Sequence, residues 1–136
     1  MSKMVRFHTF GGADVLKLEE VATPAPGAGE VRVAVQAIGL NRADALWREN
    51  LYVEDATLPA GLGNEAAGVV EAVGEGVEGL KVGDKVAVLP GAGQGRYPTY
   101  GENILLPAAH LVRYPANLSA AQAGGRYMAY LSGYFP

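Results

Sequence analysis

Nineteen glycines and eight prolines punctuate a chain of 136 residues, and this density of turn formers constrains the fold more than any other feature. Glycine opens backbone conformations that other residues avoid, and proline fixes φ while removing a hydrogen-bond donor. Short strands joined by tight turns tolerate such punctuation, whereas long helices do not. The sequence therefore predicts mainly β structure.

The length suffices for one domain with a real core but not for a two-domain enzyme. Hydrophobic residues make up 49% and charged residues 18%, and no apolar run approaches the ~18–20 residues of a membrane span. A globular protein with no membrane partner is expected. The formal net charge is -3, with Lys and Arg scattered rather than clustered, so nucleic acid is not an expected partner. There is no Cys, and the N-terminal MSKMVRF has neither an apolar leader core nor a cleavage site, which makes a cytoplasmic location the expectation.

Residues 5–10 and 15–21 read as a hairpin or two neighbouring strands. In VRVAVQAIGL, Val31, Val33 and Val35 share one face of the clearest strand. Asn41 is a plausible N-cap for a two-turn helix over 41–49, and Asp44 and Arg48, spaced i and i+4, are expected to pair on its surface. Residues 66–73, 85–89, 102–106 and 110–113 read as strands, with Gly68 permitting close approach of another backbone. The Gly-rich loop 90–98 is expected at the surface, with Arg96, Tyr97 and Tyr100 forming a solvated segment with an aromatic anchor. A second helix is expected to start near Ala120, capped by the Asn117-Leu118-Ser119 segment.

Residues 73–86, VGEGVEGLKVGDKV, contain Gly74, Gly76 and Gly79 at the G-x-G-x-x-G spacing of a dinucleotide turn. Such a turn works by delivering phosphate to a helix N-terminus. Gly83-Asp84 starts another turn four residues after Gly79 and a strand follows, so no helix has room to begin. The match is assigned to a β turn between strands.

The segment GLGNEAAGVVEAVGEGVEGLKVGDKVAV (61–88), with GLNRADALWRENLY (39–52) upstream, resembles the N-terminal GroES-like domain of medium-chain dehydrogenases/reductases. Within them it is similar to the zinc-independent quinone oxidoreductase branch that includes zeta-crystallin. The resemblance implies a GroES-like, partly open β-barrel with two or three short helices and the Rossmann domain absent. It divides the chain into a catalytic domain (1–118) and the start of a connecting helix toward an absent nucleotide-binding domain (119–136). It further implies an NADPH-dependent enzyme that passes hydride to a quinone or conjugated enone, with activity and cofactor binding expected in an intact parent rather than in this chain alone. The other readings are an enoyl or alkenal reductase domain and a stand-alone, non-catalytic binding or structural module.

Zinc-dependent relatives carry a Cys near Asn41 and a His at the place of Asn64. Zinc prefers thiolate and imidazole donors, and His8 and His110 lie outside the matching motifs, so no metal site is expected. Without a Lewis acid, a conjugated acceptor is favoured, because it spreads developing charge to an oxygen that hydrogen-bond donors can hold. By resemblance Asn41 and Tyr52 line the nicotinamide and orient the reactants. Their plainer readings are a helix N-cap and a half-buried loop tyrosine. Ser132 matches a hydroxyl residue of the nicotinamide site, and Leu46, where many relatives carry an aromatic, falls in the substrate pocket. Glu65 falls there too, and is expected to pair with a cationic neighbour rather than to act as a base. Tyr127, Tyr130, Tyr134 and Phe135 predict self-association through the C-terminal helix.

Overall fold

The computed structural model describes residues 1–52, 56–114 and 117–124. Two antiparallel strands, β1 (Ser2–Phe7) and β2 (Leu16–Val21), form a hairpin in register from Ser2 opposite Val21 to Phe7 opposite Leu16. Between them residues Ala13–Val15 wind into a 3-10 turn. The first strand thus stops three residues earlier than the sequence suggests, because the Gly11 N–H turns away to the Arg48 carbonyl.

The remaining strands are β3 (Glu30–Gly39), β4 (Glu65–Val73), β5 (Lys85–Val88), β6 (Asn103–Pro107) and β7 (Leu111–Arg113). They form one sheet in the order β6-β3-β4-β5-β7, antiparallel at every step. Alternation along these strands sends Val31, Val33, Val70, Val86, Val88, Ile104, Leu106 and Leu111 into a single aliphatic core. Val35 packs against this core only in part, since the β3–β4 register shifts between Val35 and Ala37. The β4 strand is covered on both faces: Ala66 joins the aliphatic core, while Ala67 packs with Ala87, Tyr114 and Ala123. Small side chains are required there. A Cβ at Gly68 would lie 2.1 Å from the Ala34 carbonyl oxygen.

Single bridges from Met4 to Gly101 and from Phe7 to Ala60 tie the hairpin to the larger unit, and among the described residues the two sheets do not close into a barrel. The architecture is mainly β and partly open, with two short helices, α1 (Arg42–Arg48) and α2 (Ala120–Gly124). Ser119 caps α2: its Oγ accepts the Gln122 N–H at 3.1 Å, and Gln122 Oε1 accepts the Ser119 N–H at 2.9 Å. The remainder of the expected 119–135 helix, with Ser132 and the C-terminal aromatics, lies outside the described residues.

The G-x-G-x-x-G segment links β4 to β5 through turns, without a helix. The Gly74 N–H is already spent on the Glu30 carbonyl at 2.7 Å, and the Glu75 carbonyl accepts the Gly29 N–H at 2.9 Å. Its first residues extend the β3–β4 pairing past Val73, as the missing helix signal predicts.

Candidate functional site

Where β3 ends, the chain turns at Leu40 and enters α1 through Asn41, whose extended backbone suits an N-cap. Asn41 and Asp44 form a capping box. Asp44 Oδ2 accepts the Asn41 N–H at 3.1 Å. One turn along the same face, Trp47 is buried; its indole N–H donates to the Gly61 carbonyl at 2.8 Å. The Trp47 ring meets Tyr52 edge-on, with centroids 6.3 Å apart.

Glu65, the first residue of β4, is 2% exposed. Its Oε1 accepts the Asn41 side-chain amide at 2.8 Å. This corrects the expectation of a cationic partner: the neutral Asn41 amide occupies that place. The expected Asp44–Arg48 pair is not made either. Asp44 is 3% exposed and faces Tyr100, whose hydroxyl donates to Oδ2 at 2.6 Å, while Arg48 Nε donates to the Gly11 carbonyl at 3.0 Å.

Burial pushes the Asp44 carboxyl above the ordinary aspartate range, against the opposing hydrogen bonds from Tyr100 and Asn41. Burial, together with this carboxylate, pushes the Tyr100 hydroxyl up, which keeps it a donor at any ordinary pH. Three buried polar atoms, Asp44 Oδ1, Asn64 Nδ2 and Glu65 Oε2, have no partner among the described residues. Such atoms are rare in native proteins, and a catalytic role or a bound water is among the things that account for them.

The Gly-rich loop contributes more than its composition suggests. Gln94 and Thr99 are fully buried, contrary to the surface expectation for residues around 90–98. Gln94 Oε1 accepts the Gly63 N–H at 2.9 Å, and Thr99 Oγ1 donates to the Glu65 carbonyl at 3.2 Å. Gly63 adopts φ +107, and a Cβ there would fall 2.3 Å from Thr99 Oγ1. Tyr97 is the anchor that the sequence suggests, with its hydroxyl donating to Glu30 Oε2 at 2.7 Å and Arg96 above its ring.

Asn41 and Glu65 are therefore brought together directly, while Tyr52 packs against Trp47 in the cluster with Phe7, Ala60 and Leu62. Leu46 lies half-buried on α1. His8 pairs with Glu19 on the hairpin, and His110 contacts the Leu89 carbonyl; both lie off this seam. Gln94 and Thr99 escape sequence reasoning, since a polar residue in a Gly-rich loop carries no local sign of burial, while Tyr100, expected in a solvated segment, is drawn to Asp44 instead. A concavity of about 430 Å³ lies between the hairpin and the second half of β3 and shares Tyr100 with the seam.

A partly open antiparallel β-domain with a short helix laid over a buried polar seam defines the class of protein. Residues 27–131 match the family model of the alcohol dehydrogenase GroES-like domain, and the chain belongs to that family. A quinone oxidoreductase of Pseudomonas aeruginosa is 42% identical over 123 residues, covering 90% of this chain and 36% of its own length. A synaptic vesicle membrane protein VAT-1 homolog of Rattus norvegicus is 39% identical over 127 residues, covering 92% of this chain and 30% of its own. The crystal structure of Escherichia coli quinone oxidoreductase complexed with NADPH superposes with a TM-score of 0.86 at 33% identity, over 98% of this chain and 39% of that one. The chain thus spans about a third of the length of these relatives. No helix among the described residues is long and apolar enough to cross a membrane.

Asn41 is only partly buried, and an amide nitrogen carries two hydrogens, of which Glu65 takes one. The segment at 74–79 offers no cradle for a pyrophosphate, because no helix follows it and the Gly74 N–H is engaged.

Proposed function

We propose that this chain is the substrate-facing domain of an NADPH-dependent, zinc-independent quinone oxidoreductase that passes hydride to a quinone or conjugated enone. The observation that carries the proposal is the Asn41–Glu65 pair, in a chain whose relatives include named quinone oxidoreductases. NADPH, when bound, supplies the hydride. Glu65 fixes the Asn41 amide, whose second hydrogen is a donor for a substrate or cofactor oxygen. As a quinone accepts hydride, negative charge grows on its oxygens, and a donor fixed in advance stabilises that charge without reorganising. Trp47 holds the Tyr52 ring edge-on, and Tyr52 thereby orients the reacting rings. Two amides and a carboxylate at Asn41, Asn64 and Glu65 are a poor donor set for zinc, so hydrogen bonds rather than a Lewis acid carry the stabilisation. Leu46 and Ser132 are assigned to the substrate pocket and the nicotinamide contact on the same reading.

A second reading, a non-catalytic binding or structural module, is favoured by the synaptic vesicle relatives, whose names specify no reaction. Joining the chain to the nucleotide-binding domain of a quinone oxidoreductase and mixing the fusion with NADPH and benzoquinone, while following the nicotinamide absorbance, separates the two. Quinone-dependent oxidation above the protein-free rate, lost in Asn41→Ala, supports the oxidoreductase. No rate above background at saturating reactants, from a fusion that binds NADPH, supports the module. Replacing benzoquinone by an unsaturated aldehyde tests the alkenal reductase variant of the proposal.

A cytoplasmic setting belongs to the same proposal, supported by the lack of any Cys for an oxidising compartment to pair. So does self-association through residues 119–136, which predicts a sedimentation coefficient that rises with concentration. A constant monomer would contradict it.

A further inference from the structure

Two independent arms grip Asn41, and both trace back to the dipeptide Thr99-Tyr100. On one side the Asn41 N–H reaches Asp44 Oδ2, and the same oxygen accepts the Tyr100 hydroxyl at 2.6 Å. On the other side the Asn41 amide reaches Glu65 Oε1 at 2.8 Å, and the Glu65 carbonyl accepts Thr99 Oγ1 at 3.2 Å. Asp44 and Glu65 are both nearly excluded from solvent, so water cannot replace either arm. We propose that Thr99 and Tyr100 are positioning residues for Asn41, acting through Glu65 and Asp44 to aim its free amide hydrogen outward.

An ionised carboxylate accepts hydrogen bonds and cannot donate them. With Glu65 Oε1 accepting from the Asn41 side-chain nitrogen at 2.8 Å, the amide turns its nitrogen, not its oxygen, toward Glu65. The Asn41 side chain is left presenting a donor, which selects ligands with an acceptor oxygen, such as a quinone carbonyl. Tyr100 serves the other arm from 56 residues away. Its ring also packs where a side chain on Gly63 would lie, with Tyr100 Cδ1 2.5 Å from the Cβ position. The turn before Glu65 and the cap before α1 are thus set by one pair of residues.

What Asn41 does for a ligand rests on the function proposed above, but its positioning can be read without any ligand. The test is the side-chain amide signal of Asn41 in the nitrogen-15 spectrum of the 136-residue chain, compared among wild type, Tyr100→Phe, Thr99→Val and Thr99→Ser. The expected result is accelerated proton exchange at the Asn41 amide, by on the order of tenfold, in Tyr100→Phe and Thr99→Val, with Thr99→Ser restoring it. Signals of the distant β5–β7 pair should stay in place. An Asn41 amide unchanged in a folded Tyr100→Phe or Thr99→Val variant would overturn the proposal. Should Tyr100→Phe fail to fold, the Thr99→Val and Thr99→Ser pair decides alone. Oxidation of NADPH is measured separately, so failure of the catalytic reading leaves this result intact.

Discussion

The five-stranded sheet and the seam beside α1 bury their residues by opposite means. The sheet core is aliphatic, built from Val31, Val33, Val70, Val86, Ile104 and Leu106 among others. The seam excludes water just as thoroughly, yet holds Asp44, Asn64, Glu65, Gln94 and Thr99. Apolar burial is non-directional and rewards area, whereas each buried polar atom needs a particular partner at a particular distance. The sheet can therefore tolerate volume-conserving change, while the seam has a fixed geometry, a property useful for aiming a hydrogen bond and of little use for stability alone.

That contrast can be broken most severely at Gly68→Val. The added side chain would drive into the Ala34 carbonyl, and a loss above ~4 kcal/mol is expected, seen as absence of a cooperative thermal transition by circular dichroism. Trp47→Ala, at the boundary of the two regions, should cost about 3–5 kcal/mol in chemical denaturation, and Trp47→Phe less, since it chiefly strands the Gly61 carbonyl. Val70→Ala, wholly within the sheet, should cost about 2 kcal/mol and leave the Asn41 amide signal unmoved. If it moves that signal, the two regions are not separable.

A pH series sharpens the comparison further. The folded-state pKa of Asp44 is raised by burial, so between its unfolded and folded values the native state binds more protons than the unfolded chain. Stability must then fall as pH rises through that window. Asp44→Asn should flatten this part of the profile, and a profile of unchanged slope would mean that Asp44 is not buried as described. Glu19 is shifted the other way, first by its hydrogen bond to Arg6 and then by that to His8, so its contribution disappears as pH falls below the ordinary glutamate range. Arg6→Ala, which removes this exposed pair, should give the smallest effect of all, a thermal midpoint nearly unchanged.

The sheet was legible from the sequence because its information is local. Alternating valines at 31 and 33 announce β3, and Gly68 announces the close approach that β4 makes to Ala34. The turn chemistry of Gly83-Asp84 was enough to discount the dinucleotide motif, and the Asp84 carboxylate does accept the Lys81 N–H there. Strand ends shifted by a few residues where partners outside the strand captured backbone groups, as at Gly11. The seam was legible only in part. Resemblance directed attention to Asn41, Tyr52 and Glu65, but Asn41 lies 24 residues from Glu65, and Glu65 lies 34 from Thr99. No local period encodes such pairing. For the same reason Asp44 read as one half of a surface ion pair, and Gln94, Thr99 and Tyr100 read as loop.

The most direct test of the central claim is to join the nitrogen-15-labelled chain to the nucleotide-binding domain of a quinone oxidoreductase, titrate the fusion with NADPH and map the shifted signals. The account predicts shifts centred on Asn41, Glu65 and Tyr52, with the 74–79 turn silent. Shifts centred on Gly74, Gly76 and Gly79, with Asn41 unmoved, would contradict it.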